Sequence, residues 1–261
     1  MPFTLIDGWA APPPEPERVQ WLREWSYAHR GLHRPGIPEN SLAATRGAIA
    51  AGLGIECDVQ QSRDGEALVF HDWDLDRLTG ERGPVRERTA SELCKIALSG
   101  GEGERIPKLG DFLALVNEQV PLLVEIKSRR ELSPARLCLA VHRALEGYSG
   151  NAAIMSFDPR VSRWFAIHAP DIVRGLVVTE ENERTFGGLM RRHAWLWHAR
   201  PDFLAYDVRD LPSRFADAQR KRGLPLLTWT VRSAELCERA EKYADAPIVE
   251  GAGVAQPGTN A

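Results

Sequence analysis

Short runs of apolar residues recur along the chain, separated by longer stretches in which apolar positions return every three or four residues. The runs predict strands at 25–28, 54–59, 67–71, 121–126, 152–157, 173–178, 203–208, 225–231 and 247–250. Several are apolar at nearly every position, the pattern of a parallel sheet covered by helices on both faces. The stretches between carry helix signals. Ser41 is placed to cap a helix over 42–51, with Gly52 just past its end, and Thr89 and Glu92 form a T-x-x-E capping box. Ser133-Pro134 and Asp158-Pro159 each put a cap before a first-turn proline.

One pair of strands departs from this alternation. The link 60–66 is too short for a parallel crossover, which takes about a dozen residues, and it holds the turn pair Asp64-Gly65. The run 67–71 is therefore predicted to return as a hairpin arm beside 54–59. Eight strands with helical crossovers remain, and eight such units in about 250 residues is the size of a TIM barrel. The expected fold is α/β: a single-domain TIM (β/α)8 barrel over 25–252, with an N-terminal extension over 1–24 and a C-terminal tail over 253–261. An open doubly wound sheet is the competing architecture, and no GxGxxG or Walker loop supports it. In the extension, APPPEP at 11–16 reads as stiff and extended and 18–25 as a short helical turn. The extension would either plug the barrel's N-terminal end or be disordered. SGGEGE at 99–104 reads as a mobile loop, and the short distance from Asp76 to Ile106 leaves room only for a small cap insertion.

Composition narrows the class. The chain has 261 residues, 43% of them hydrophobic, enough for a sizeable core. A net charge of −3 gives no footprint for nucleic acid and no general attraction to anionic membranes. The opening MPFTLIDGWA lacks the basic and long apolar regions of a secretory leader, and no apolar run reaches the roughly 18 residues of a membrane span. Cys57, Cys94, Cys138 and Cys237 are scattered, so neither disulfides nor a zinc site is expected and a reducing cytoplasm fits best. No sequence signal sets an oligomeric state.

The candidate chemistry lies in four clusters: AHRG at 28–31, ECD at 56–58, FHD at 70–72 and EIK at 125–127. In a strand, residues i and i+2 share a face, so Glu56 and Asp58 point one way and Cys57 the other. Glu125 and Lys127 repeat the spacing. In a barrel, Glu56, Asp58 and Glu125 would converge inside the C-terminal mouth, where their mutual repulsion calls either for a hard divalent cation with oxygen ligands or for a charge network closed by Lys127 and Arg30. His29 and His71 each end a predicted strand, the place of catalytic groups in such barrels, and the ordinary pKa of histidine suits proton transfer at neutral pH. Arg30 can hold a phosphate through two bonds, and Lys127 offers a point charge to the same oxygens. Asp72 either orients His71 or ends the strand, and Asn40 either fixes its loop or caps the helix. Together these residues are the inventory for acid–base hydrolysis of a phosphodiester around a divalent cation. Trp229 is a candidate apolar wall for the substrate, with core packing as its plain alternative. HAWLWHARP at 193–201 reads as a buried helix-to-strand connection.

His29-Arg30-Gly31, Pro38-Glu39-Asn40, Glu56, Asp58-Val59, Asp64-Gly65, His71-Asp72, Ile106-Pro107, Glu125-Ile126-Lys127, Ser156-Phe157 and Trp229-Thr230-Val231 occur in that order between Tyr27 and Gly251. The ordered set resembles the glycerophosphodiester phosphodiesterase family. The resemblance implies a TIM barrel, a Mg2+ or Ca2+ ion held by Glu56, Asp58 and Glu125, catalytic His29 and His71, and Arg30 and Lys127 near the phosphate. It implies metal-dependent hydrolysis of a small-molecule glycerophosphodiester to sn-glycerol 3-phosphate and an alcohol. Two readings stand beside it: a lysophospholipase D acting on acylated glycerophosphodiesters, which an open mouth would favour, and a non-catalytic phosphodiester-binding barrel. The chain departs from the family pattern in PENS where PENT is usual, and in PIVEG, where Glu250 stands at the place of a closing aspartate.

Overall fold

A computed structural model describes residues 2–254. Helices α1 (Pro2–Ala10) and α2 (Pro16–Val19) precede β1 (Tyr27–His29). Then follow α3 (Leu42–Ala50), β2 (Gly54–Gln61), β3 (Ala67–Val69), α4 (Ala90–Leu93), α5 (Leu109–Val116), β4 (Leu122–Ile126), α6 (Ala135–Leu145) and β5 (Ala152–Ser156). The chain continues through α7 (Pro159–His168), β6 (Val173–Val178), α8 (Phe186–Ala199), β7 (Phe203–Asp207), α9 (Arg214–Lys221), β8 (Leu226–Val231), α10 (Ala234–Tyr243) and β9 (Ala246–Val249). Eight parallel strands with helices between them make the fold a TIM (β/α)8 barrel. Of the tail proposed over 253–261, residues 255–261 lie outside those described.

Two compact units share the chain, one of residues 27–152 and one of the N-terminal segment with 153–254. In the first, β2 lies between β1 and β4, parallel to both, and β3 pairs with it antiparallel. The register sets His29 beside Glu56 and Asp58 beside Glu125, which positions the chemistry. Ser41 caps α3 and the Thr89–Glu92 box caps α4, each with side-chain oxygens that accept from backbone N–H groups the helix start leaves unpaired. The excursion from β3 to α5 packs over its own cluster of Leu68, Phe70, Leu75, Leu93, Leu98 and Ile106. Against expectation its glycine-rich stretch is pinned: the Glu104 carboxylate accepts from the Ala43 amide at 3.1 Å and from Arg46 at 3.1 Å, and Ser99 N donates to Leu78 O.

In the second unit β5 to β9 run parallel in chain order. HAWLWHARP is not a connection. It is mostly the second half of α8, whose helical period carries on through His193, Leu196 and Ala199, with Trp195 and Trp197 partly buried against the apolar cluster that holds Leu196, Ala199 and Phe215. At 133–134 the helix start is also displaced. Pro134 already has helical backbone angles one residue before α6, and the Ser133 hydroxyl accepts from Ala135 N at 3.4 Å, so the serine still faces the helix start. Strand ends move by one or two residues where the backbone leaves the ladder, as at Pro121, which has no N–H to donate, and at Asp207, whose side chain starts a 3-10 turn by accepting from Arg209 N.

The N-terminal segment is neither irregular nor separate from its unit. Asp7 of α1 is buried and accepts from His193 Nδ1 (2.8 Å), Trp197 Nε1 (2.7 Å) and Gln219 Nε2 (2.9 Å). Burial alone would raise its pKa, but the bonds from His193, Gln219 and Trp197 outweigh that and hold it below the ordinary aspartate value. Asp7→Ala leaves those donors without an acceptor and is expected to destabilise the protein by about 2 kcal/mol. Because the folded pKa is lowered, this contribution is full above the unfolded value near 4 and fades as pH falls below it. Thermal melts of both proteins at pH 7 and pH 3 would check it: the gap between them should narrow at pH 3.

Candidate active site

Residues of unit 27–152 build the carboxylate cluster and the groups around it. After β1 the chain turns sharply, with Arg30 at φ +56 and Gly31 at φ +75. A Cβ on Gly31 would lie 2.9 Å from the Ala44 backbone, so only glycine lets the turn close against α3. The turn delivers the Arg30 amide to Glu56 Oε2 at 3.1 Å, and brings His29 Nε2 to 4.0 Å from the same oxygen. Arg30 Nη1 donates to Glu39 Oε1 at 2.6 Å, and its Nε lies 3.1 Å from Asp58 Oδ2.

Glu56, Asp58 and Glu125 are all buried, at 1%, 1% and 8% exposure, and offer oxygens within 4.8 Å of one another. Alternation along β2 puts Cys57 on the opposite face, buried, and burial followed by the nearby carboxylates pushes its thiol pKa far up. Lys127 Nζ bridges Asp58 Oδ1 (2.9 Å) and Glu125 Oε1 (2.7 Å). Burial would raise Asp58, but Lys127 and then Arg30 overcome it and hold the carboxyl well below its usual range. Lys127 is raised in return, burial being outweighed by Glu125 and Asp58. Glu56 goes the other way: burial, then Asp58 and Glu125, drive its pKa well above the ordinary value, and Arg30 offsets only part. Three carboxylates therefore face two cationic side chains, and Glu56 is left short of positive charge. That donor set of clustered hard oxygens, one still wanting a cation, fits Mg2+ or Ca2+. The charge network drawn through Lys127 and Arg30 is present as well, so the two readings coexist.

His71 follows β3. Its Nδ1 lies 2.6 Å from Asp72 Oδ1, and Gln60 Nε2 holds the carbonyls of His71 and Asp72 at 3.0 and 3.1 Å. Burial raises the Asp72 pKa, but bonds from Arg77 and His71 bring it down to about 2. An ionised Asp72 requires the proton on Nδ1, which leaves Nε2 as the reactive nitrogen. Asn40, expected mainly as a loop or cap residue, ties the site together: its Nδ2 donates to Asp58 Oδ2 at 3.0 Å and its Oδ1 accepts from Asp58 N at 3.2 Å. Ser41, not Asn40, does the capping.

Seven of the eight residues expected at the site come together here: His29, Arg30, Glu56, Asp58, His71, Glu125 and Lys127. Trp229 belongs to the other unit, where its indole donates to Ala205 O at 3.0 Å and its ring meets half-exposed Phe157 edge-on at 5.4 Å. Glu250, also in that unit, accepts from Arg232 Nε at 3.1 Å and Nη2 at 2.9 Å. Sequence reasoning missed Glu39 and Arg77 as members. Arg77 donates to both Asp72 and Glu39 from an irregular segment with no strand or helix period to mark it.

The chain is similar to known phosphodiesterases. The model of the glycerophosphoryl diester phosphodiesterase family matches residues 29–254. A glycerophosphodiester phosphodiesterase of Caldanaerobacter subterraneus subsp. tengcongensis is 31% identical over 229 residues, 82% of this chain and 88% of that protein. A glycerophosphodiester phosphodiesterase crystal structure from Thermotoga maritima superposes with a TM-score of 0.69 at 26% identity, covering 86% of this chain and 93% of the other. An Oleispira antarctica phosphodiesterase, in complex with the product sn-glycerol-3-phosphate, shares the fold with a TM-score of 0.75 at 23% identity over 86% of this chain and 92% of its own.

Proposed function

The chain belongs to the glycerophosphoryl diester phosphodiesterase family and is a phosphodiesterase, and from that premise we propose that it hydrolyses glycerophosphodiesters to sn-glycerol 3-phosphate and an alcohol by two-histidine acid–base catalysis. The observation that carries the reading is His71, an imidazole aligned by an ionised carboxylate, in the same unit as His29 and a buried carboxylate cluster.

His29 accepts the proton of the nucleophile, either water or a substrate hydroxyl that first gives a cyclic phosphate. His71 enters as the imidazolium, with Asp72 stabilising its charge and fixing Nδ1–H, and Nε2 gives its proton to the leaving alkoxide as the P–O bond breaks. Arg30 and Lys127 bind the phosphoryl oxygens, each already held in place by Asp58. Glu56, Asp58 and Glu125 would hold a Mg2+ or Ca2+ ion, which when bound neutralises charge that builds on the phosphoryl group. The substrate alcohol is a small one such as choline, ethanolamine or glycerol. A lysophospholipase D activity is a second reading, supported by the excursion 70–106, which folds down on its own cluster and does not extend as a large cap. All four cysteines are free, which supports a cytoplasmic location, and no helix among the described residues is long and apolar enough to cross a membrane.

Release of glycerol 3-phosphate from glycerophosphocholine tests the proposal. Release is expected to vanish with EDTA and return with Mg2+ or Ca2+. Choline release from lysophosphatidylcholine in the same assay separates the two substrate classes. Absence of turnover on either substrate with either ion would overturn the assignment.

A further inference from the structure

Arg77 is half-exposed and has no part in the chemistry just described, yet it is bonded to two carboxylates that each touch a group of the site. Its guanidinium donates Nε to Asp72 Oδ2 at 2.6 Å and Nη2 to Asp72 Oδ1 at 2.9 Å. It also donates Nη1 to Glu39 Oε2 at 3.0 Å and Nη2 to Glu39 Oε1 at 2.8 Å. Four of the five N–H groups of one arginine are thus spent on two forked carboxylates. Each carboxylate passes the constraint on. Asp72 Oδ1 faces His71 Nδ1 at 2.6 Å, and Glu39 Oε1 takes Arg30 Nη1 at 2.6 Å. Arg30 then reaches Asp58 at 3.1 Å.

We propose that Arg77 is a positioning residue for phosphodiester hydrolysis, orienting His71 through Asp72 and Arg30 through Glu39. The inference rests on the roles given above to His71 and Arg30. A single planar group thereby sets the angle of the proton donor and the angle of the phosphate-binding guanidinium together. Planarity is what makes it suitable. A fork presents its N–H groups in fixed directions, so a carboxylate gripped at both oxygens cannot rotate, and neither can the partner bonded to it. An ammonium offers the same charge with no fixed direction. Charge balance supports the assignment too. Asp72 and Glu39 are both held ionised, with bonds from Arg77 the largest influence opposing burial in each, so both stay acceptors for the groups they hold. A simple surface staple between two loops would need neither carboxylate to touch a catalytic group.

The test compares Arg77→Ala, Arg77→Lys and the wild type with Mg2+ present. Residues that orient groups bound to an active centre are worth about 10–100-fold when removed. Arg77→Ala is expected to lower kcat by about that factor and to raise KM several-fold, since Glu39, free to rotate, no longer fixes the direction of Arg30. Arg77→Lys is expected to remain about tenfold down in kcat. Full activity in Arg77→Lys would overturn the proposal, because charge alone would then suffice. Free methylguanidinium, admitted because the position is half-exposed, is expected to restore Arg77→Ala about tenfold at kcat while methylammonium does not. Equal rescue by both cations, or by neither, would count against it. Arg77→Gln placed on Asp72→Asn should add little further loss in kcat, whereas independent roles would multiply. Melting curves of each variant verify folding, and Arg77→Lys remains informative if Arg77→Ala is unstable. His71→Ala and Arg30→Ala run beside these. If they keep turnover, the reading of the site fails. If they lose it while Arg77→Ala is unimpaired, only the role of Arg77 fails.

Discussion

His71→Ala is expected to lower kcat by about 10²–10⁴-fold, the range for a general acid or base, with KM changed far less. The imidazole is placed by Asp72 at 2.6 Å on one nitrogen and by Gln60 on its own carbonyl, so its other nitrogen is committed in direction before substrate arrives. Truncation removes the proton source for the leaving alkoxide and leaves the phosphate-binding groups in place. Substrate should therefore still bind. His29→Ala is expected to fall in the same range through loss of the base. A leaving group with a low pKa, such as p-nitrophenolate, needs no protonation. An ester of that kind should recover most of its rate in His71→Ala and little in His29→Ala. Near wild-type turnover by both variants on glycerophosphocholine would remove the two-histidine mechanism, and recovery in His29→Ala instead would exchange the roles.

The second large effect is on stability. Lys127 sits between Asp58 and Glu125, and Lys127→Met keeps the stem while removing the charge. Three buried carboxylates would then face Arg30 alone. Breaking a buried pair by removing one partner costs about 3–5 kcal/mol, which in a chain of this size lowers the melting temperature by on the order of 10 °C. The pH dependence gives the sign. In the wild type Asp58 is held below its unfolded pKa, so its contribution is present above about pH 4 and disappears as pH falls. In the variant the folded carboxylates are raised above their unfolded values, so the loss grows as pH rises. The deficit against wild type, measured by melting in EDTA, should be smaller at pH 5 than at pH 8. An equal deficit at both would show that Lys127 matters through packing and not through charge.

How far the site was readable in the chain depends on whether periodicity carries the information. Glu56, Asp58, Glu125 and Lys127 lie on or just past regular strands, where an i, i+2 spacing translates directly into a shared face. His29 ends β1 and His71 follows β3 by two residues, so a boundary error of that size did not hide them. Arg77 and Glu39, 38 positions apart, each sit on irregular backbone, and the left-handed residues Arg30 and Asn40 on either side of Glu39 have no sequence mark that a strand or helix pattern supplies. The docking of α1 is equally opaque. Asp7 and His193 are 186 positions apart, and a lone aspartate in an apolar opening says nothing of its partner. HAWLWHARP, read as a connection, instead continues α8 with Trp195 and Trp197 packed against the core, and burial of large rings outweighs their modest helix preference.

The excursion between β3 and α5 carries apolar contents of its own, with Leu75, Leu93, Leu98 and Ile106 gathered around Leu68 and Phe70. The part of it between Arg77, which holds Asp72 and Glu39, and Glu104, which holds Ala43 and Arg46, supplies most of its own packing, and Gly83, Gly100 and Gly103 within it have open space where a side chain would stand. Such a segment behaves as an exchangeable cassette. Descendant genes can lengthen it at those glycines, or replace its tip, without reworking the strands that hold the carboxylates. The carboxylate-bearing strands and the outer part of this excursion can therefore drift at different evolutionary tempos within one lineage.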